Sequence, residues 1–269
     1  MTFKARRRLG MALFVAVALI FWIVDHALTA NLRKPALVSG LALMAIVVLL
    51  TLFNARKKLP FLPLLRASTW TQFHIYAGLV SVAVFFVHVG VKLPTGWLET
   101  ALFVLFLAVA LSGFAGLALS RLMPPRLTVA GENVIFERIP AMRTAVRREV
   151  EEVVVQSVGQ TNSTTISEFY DKKLRAYFAG PSFIMNHLIG YRKPVFRLMA
   201  DVEALDRYLN AEERAVMERV TELIRAKNNL DVQLAGQGLL RGWLFVHIPL
   251  TYSMIVFAVV HGALAWMLT

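Results

Sequence analysis

The stretch LETALFVLFLAVALSGFAGLALS at residues 98–120 holds a single charged side chain, Glu99. At about 1.5 Å of helical rise per residue it can cross roughly 30 Å of hydrocarbon. Such a run leaves a chain few folds. In lipid every backbone polar group must find its partner inside the protein, so helices and closed barrels are the structures that span. Similar runs lie near residues 10–30, 36–54, 70–91 and 242–268. The sequence therefore predicts a membrane all-α protein with a five-transmembrane-helix bundle. Composition agrees: 57% of residues are hydrophobic and the mean hydropathy is +0.60, too apolar for an ordinary soluble domain. The first run follows the basic MTFKARRRLG, as a signal-peptide core would. Its length and the lack of a clear small-residue cleavage site make it read as a retained helix.

The net charge of +12 is unevenly spread. Residues 121–241 hold 18 Lys/Arg against 15 Asp/Glu, whereas the rest of the chain holds 11 against 2. The excess thus sits in the tails and short loops, where it orients helices; nucleic acid is not its natural partner. Lys4, Arg6, Arg7 and Arg8 precede the first run, and Arg56, Lys57, Lys58 and Arg66 lie between the second and third. The opposite side has Arg33, Lys34 and Lys92 in its short loops. The positive-inside rule then places the N-terminus and the 121–241 insert in the cytoplasm and the C-terminus outside. A bacterial inner membrane is the expected home.

Three domains follow: 1–120 with four membrane helices, the 121–241 insert, and 242–269 as the fifth helix. In the insert, RLTVAGENVIFERIP alternates around a glycine turn and suggests a β-hairpin. AMRTAVRREVEEVVVQS, TTISEFYDKKLRAYF, VFRLMADVEALDRYL and AEERAVMERVTELIRAKNNLDVQLAG read as helices. Thr165 with Glu168, and Asn210 with Glu213, have capping-box spacing. The fourth of these helices is expected to run almost directly into the last membrane segment. No catalytic constellation is visible: GQGLLRG lacks the strand and spacing of a dinucleotide fingerprint. His187, alone in a polar loop, reads as a surface or packing residue.

Histidine supplies the informative pattern. Four of the six histidines form two pairs, His74/His88 and His247/His261, each fourteen residues apart and each inside a membrane run. Fourteen residues turn an α-helix about 40° short of four full turns and raise it roughly 21 Å. Each pair therefore shares a helix face, with one imidazole near each side of the membrane. The two helices run parallel, so His74 is expected beside His247, and His88 beside His261. Intramembrane ionisable residues default to a functional reading. Two facing imidazoles in an apolar bundle suit haem, whose iron takes one axial ligand from each side. A zinc site would be short of ligands with two histidines. The chain has no cysteine, which excludes Cys-bound iron–sulfur clusters and covalently attached c-type haem.

Paired H-x13-H helices resemble the di-haem b-type cytochromes: the cytochrome b of quinol oxidoreductases, the cytochrome b561 group and the ferric reductase membrane core. Placing the pairs on the third and fifth helices is most similar to the ferric reductase-like core. The resemblance covers the membrane part and rests on His74, His88, His247 and His261. It implies two haem b groups with these four residues as iron ligands. The insert, the absence of a sixth helix and the lack of a following flavin or NADPH domain depart from that pattern.

Further residues are candidates for haem packing. Gly78, Gly113 and Gly116 admit close approach, and Pro249 is placed to bend the last helix. Arg66 and Arg241 at the inner ends, and Lys92 at the outer end, are candidate propionate contacts. Trp70, Tyr76, Trp97 and Trp243 read as interfacial belts, and Tyr252 as a deeper packing residue. Asp25-His26 is either an interfacial pair or a proton-exchange element of a quinone site.

The expected function is a di-haem cytochrome b subunit that moves electrons across the membrane between redox partners within a larger complex. It would be an electron-transfer subunit of an oxidoreductase complex and not a complete enzyme. Three readings stay open: a quinol-oxidising or quinone-reducing subunit, a ferric reductase-like conduit fed by a separate dehydrogenase, and a non-redox transporter or scaffold.

Overall fold

The computed structural model describes residues 35–58, 67–90, 92–129, 134–161 and 163–268, with Leu19 and Ile23 in addition. Among these residues the chain is all-α, with no strand. The first expected span, near 10–30, lies outside the described residues apart from Leu19 and Ile23, and Asp25, His26 and Arg66 lie outside them too. The helices are α1 (Pro35–Lys58), α2 (Ala67–Val89), α3 (Trp97–Val129), α4 (Ile139–Thr161), α5 (Thr165–Phe169), α6 (Arg175–Ala179), α7 (Ile184–Ile189), α8 (Lys193–Asp206) and α9 (Ala211–Met267). The chain divides into two compact units, Met1–Leu117 with Trp243–Thr269, and Ala118–Gly242.

In the first unit α1, α2, α3 and the end of α9 are each long and apolar enough to cross a membrane. They mark an integral membrane protein. Their surfaces invert the soluble pattern. Leu41, Leu49, Phe86, Val104, Leu111, Phe245 and Val256 are exposed, while Ser39 and Ser81 are buried. Apolar side chains face outward because lipid is the solvent, and the serines satisfy their hydroxyls on carbonyls three residues back, Ala36 at 3.2 Å and Gly78 at 2.7 Å. One buried layer takes a side chain from each helix: Val47, Phe85, Phe106 and Met254. The rings of Phe85 and Phe106 stack at 3.9 Å and 9°. The α9 helix continues through Pro249 without interruption.

The second unit has a core of its own. Val150 and Val154 of α4 meet Ile166, Tyr170, Leu174, Tyr177 and Phe178 of the 165–179 segment, Val202 of α8, and Met217, Val220, Leu223 and Ile224 of α9. These positions recur every three or four residues, which gives each helix one apolar face. A π-helical stretch, Tyr170–Leu174, joins α5 to α6 and keeps both of its buried residues on the core. The start of α9 carries the expected reciprocal cap. Asn210 N–H donates to Glu213 Oε2 and Glu213 N–H to Asn210 Oδ1, each at 2.8 Å. The other expected cap does not form. Thr165 is already the first residue of α5, and Glu168 instead accepts from the Thr164 hydroxyl and Lys172.

The expected β-hairpin is overturned. Residues 121–129 continue α3, and Phe136–Arg138 form a 3-10 turn leading into α4. The physical reason lies far along the chain. Gln233 donates its amide to the Leu127 carbonyl at 3.1 Å, and Gln237 donates to Val134 at 2.8 Å. Side chains of α9 thus satisfy backbone carbonyls that a hairpin would have paired with N–H groups of the facing strand.

Candidate functional site

Each expected haem ligand in the described bundle sits on an apolar helix: His74 and His88 on α2, His247 and His261 on α9. His74 and His247 lie within electrostatic reach of each other. The ring of His74 rests 5.0 Å from that of Phe53 on α1, with the Leu50 carbonyl facing it. Its Nδ1 is buried without a hydrogen bond among the described residues. His88 lies three residues beyond Phe85, and His261 lies seven beyond Met254. The buried layer thus falls between the two histidines of each helix, three residues before His88 on α2 and roughly 10 Å beyond His247 along α9.

Two histidines have serine partners that the sequence did not reveal. Ser112 Oγ of α3 sits 2.6 Å from His247 Nδ1, and Ser39 Oγ of α1 sits 3.0 Å from His88 Nδ1. Glycine follows each serine. A Cβ on Gly40 would come within 3.0 Å of His88 Cε1, and one on Gly113 would reach 4.0 Å from His247 Cε1. Gly40 was missed as well. A repeated apolar-Ser-Gly triplet, Val38-Ser39-Gly40 and Leu111-Ser112-Gly113, is the signal that could have found both pairs.

Trp243 is a correction. Its expected place was the interfacial belt, but its indole donates to the Ser112 carbonyl at 2.7 Å and its ring stacks at 5.3 Å on His247. A Cβ on Gly116 would collide with that ring. Gly116 is thus the seat of a tryptophan. Gly78 differs: a Cβ there would meet nothing within 4 Å among the described residues. Trp97 is exposed. Trp70 packs edge-on to Phe73 at 6.3 Å with its N–H buried and unpartnered among the described residues, a dry setting for a belt residue. Tyr76 is partly buried, and Tyr252 is half exposed.

The propionate candidates fare differently. Lys92 is exposed. Arg241 pairs with Glu137 at 2.7 Å and lies over the Phe136 ring at 4.3 Å.

The insert holds a buried charged cluster that the sequence reading did not single out. Asp231 of α9 bonds Lys227 at 2.5 Å, lies 3.1 Å from Arg143 of α4, and accepts the Ser182 N–H at 3.2 Å. Both Lys227 and Asp231 are buried, and the Lys227 ammonium sits 3.9 Å over the Tyr177 ring. Burial, opposed by the Asp231 carboxylate, holds the Lys227 amine below its ordinary range. Burial also raises the Tyr177 phenol and lowers the imidazole of neighbouring His187. The Nε2 of His187 is buried, so it is a packing residue inside this cluster.

Among the described residues no three or more His, Cys, Asp or Glu side chains gather to hold a bare metal ion. The donor set fits a macrocycle that needs two imidazoles better than an ion that needs three or four ligands. Comparison of the chain with protein-family models, characterised proteins and solved structures returns no match.

Proposed function

We propose that this chain is a di-haem cytochrome b subunit that moves electrons across a membrane as part of a larger redox complex. The observation that carries the reading is the pair of fourteen-residue histidine intervals, His74/His88 on α2 and His247/His261 on α9, each on a helix apolar enough to cross a membrane. His74 and His247 would ligate an inner haem, and His88 and His261 an outer one. The bundle would be completed by a fifth helix from the first apolar run.

Haem held between two histidines supplies one-electron chemistry at an iron without an open coordination position. The chain's own residues do the rest. Ser112 and Trp243 orient His247, and Ser39 orients His88. The Val47–Phe85–Phe106–Met254 layer keeps water from the space between the two depths. Lys92 remains a candidate for outer propionates. Arg241 would reach an inner one only by leaving Glu137, an exchange that costs little because that exposed pair is weak. The N-terminus and insert would face the cytoplasm of a bacterial inner membrane, with the insert docking a redox partner and the quinone pool as a candidate electron source.

A reduced-minus-oxidised spectrum and a pyridine haemochrome assay on the purified protein test the reading. Two haem b per chain are expected, and their complete absence from well-assembled protein would refute it. His74→Ala and His88→Ala should each remove a different haem.

A further inference from the structure

We propose that the Phe183–Arg197 segment of the insert docks on an anionic lipid headgroup surface, its apolar side chains entering the interface and its cations meeting the phosphates. The proposal requires only that the chain spans a membrane, and no haem.

Exposed large apolar side chains on a water-facing domain are ordinarily scattered singly. Here Phe183, Met185, Ile189, Tyr191 and Phe196 are all exposed within fourteen residues, Met185 at 68%, Ile189 at 71% and Phe196 at 64%. Met185 and Ile189 lie four apart and share one side of α7. His187, between them, turns the other way into the charged cluster. Every residue from Ile189 to Lys193 is exposed. Lys193, Phe196 and Arg197 then follow at helical spacing on one side of α8, while Leu198, Met199, Val202 and Leu205 pack on the core.

The segment is firmly built. Gly190 ends α7 in the left-handed conformation, φ 78°. Its N–H donates to the His187 carbonyl at 3.2 Å, and the Tyr191 N–H donates to the Asn186 carbonyl at 2.8 Å, a Schellman cap. Pro194 sets the first turn of α8. At the other end Phe183 adopts φ 56°, uncommon for a bulky residue. Its neighbour Ser182 is tied down twice: the N–H donates to Asp231 at 3.2 Å and the hydroxyl to the Tyr177 carbonyl at 3.0 Å. Apolar groups on a backbone held in this way lose little freedom when they meet lipid.

Charge identifies the occupant. Residues 176–200 contain Arg192, Lys193 and Arg197 and no Asp or Glu, within an insert otherwise close to balance. None of the three forms an ion pair among the described residues, whereas Lys172, Lys173 and Arg175 before them are each paired. Aromatic and aliphatic side chains interleaved with unpaired cations match the headgroup region of an anionic bilayer. The insert is also covalently joined to membrane helices at both ends, through α3 and α9. It meets lipid as a tethered ligand, at high effective concentration.

The chain has no cysteine, so a nitroxide attached to Met185→Cys or Ile189→Cys is unique. Full-length protein is placed singly in nanodiscs of phosphatidylcholine, with or without phosphatidylglycerol. Oxygen concentrates in lipid and a nickel chelate in water, so their collision rates with the label report its immersion. A label on Glu218→Cys, an exposed position of α9, is the aqueous reference. With phosphatidylglycerol present, labels at Met185 and Ile189 should be shielded from the chelate relative to Glu218. Each cation near an anionic surface contributes about fivefold, so Arg192→Gln/Lys193→Gln/Arg197→Gln should lower the docked-to-free ratio about 100-fold. Salt at 1 M, with a Debye length of about 3 Å, should act in the same direction on the parent chain, where no loss of folding by the triple variant can intervene. Labels at Met185 and Ile189 as open to the chelate as that at Glu218 would overturn the proposal. So would equal immersion with and without phosphatidylglycerol. Shielding that appears only with two chains per disc would assign the segment to a second copy, and shielding only after a soluble protein is added would assign it to a protein partner; either result overturns lipid docking.

Discussion

Gly116→Ala probes the contact on which the inner histidine rests. The added methyl would occupy the same space as three atoms of the Trp243 indole. A collision with a rigid ring is not relieved by a rotamer adjustment of a flexible tip, so Trp243 or its helix must move. Overpacking of this kind costs about 1–3 kcal/mol. If the ring withdraws, the indole N–H loses the Ser112 carbonyl at 2.7 Å, and a buried donor left unpaired costs about 1–3 kcal/mol more. Alanine returns about 0.5–1 kcal/mol of helix propensity over glycine. The expected net destabilisation is about 1–5 kcal/mol by these terms. Reversible unfolding in detergent measures it, with tryptophan fluorescence reporting the ring's move. The reasoning also predicts partial rescue. In Gly116→Ala/Trp243→Leu the methyl no longer meets an indole, so the two changes should couple favourably by about 0.5–3 kcal/mol. A Gly116→Ala protein as stable as the wild type, with unshifted fluorescence, would refute the assigned role of the glycine.

Other outcomes are expected in the insert. Asp231→Asn leaves Lys227 and Arg143 without their buried counter-charge and should cost about 3–5 kcal/mol, read as earlier thermal unfolding of the full chain. Asn210→Ala removes half of the reciprocal cap and should cost about 1 kcal/mol, visible as a lower denaturant midpoint. Burial, with the Glu151 charge adding to it, raises the Tyr170 phenol to about 12 from its ordinary value of 10.0. The folded chain then keeps a proton that the unfolded chain releases. The resulting stability is fully present below pH 10.0 and is lost as pH rises to about 12. Melting temperatures followed across that range should fall, and Tyr170→Phe should flatten the fall.

Much of the architecture was legible because its causes are local. Apolar run length marked the helices α1, α2 and α3, since lipid tolerates no unpaired backbone over that distance. The Asn210–Glu213 cap spans three residues, so its spacing was enough to find it. The unbroken passage from insert to membrane along α9 was legible for the same reason: nothing between Ala211 and Gly242 stops a helix. Local patterns also misled. Thr165 and Glu168 have the right spacing for a cap, yet the helix begins one residue too early for it, with Thr165 already inside. The alternation in RLTVAGENVIFERIP pointed to strands, but Gln233 and Gln237 reach its backbone from more than a hundred residues away.

The candidate site divides along the same line. By itself the sequence determined four histidines on apolar helices, their fourteen-residue interval and hence roughly 21 Å of rise between the two on each helix, because helical pitch converts spacing directly into position. Only the tertiary structure decided what surrounds them. Ser39 reaches His88 across 49 residues and Ser112 reaches His247 across 135. Trp243 became a clamp on His247 because Gly116 on another helix leaves it a seat. Hydrogen bonds and ring contacts between helices depend on which faces meet, and no periodicity within a single helix carries that information.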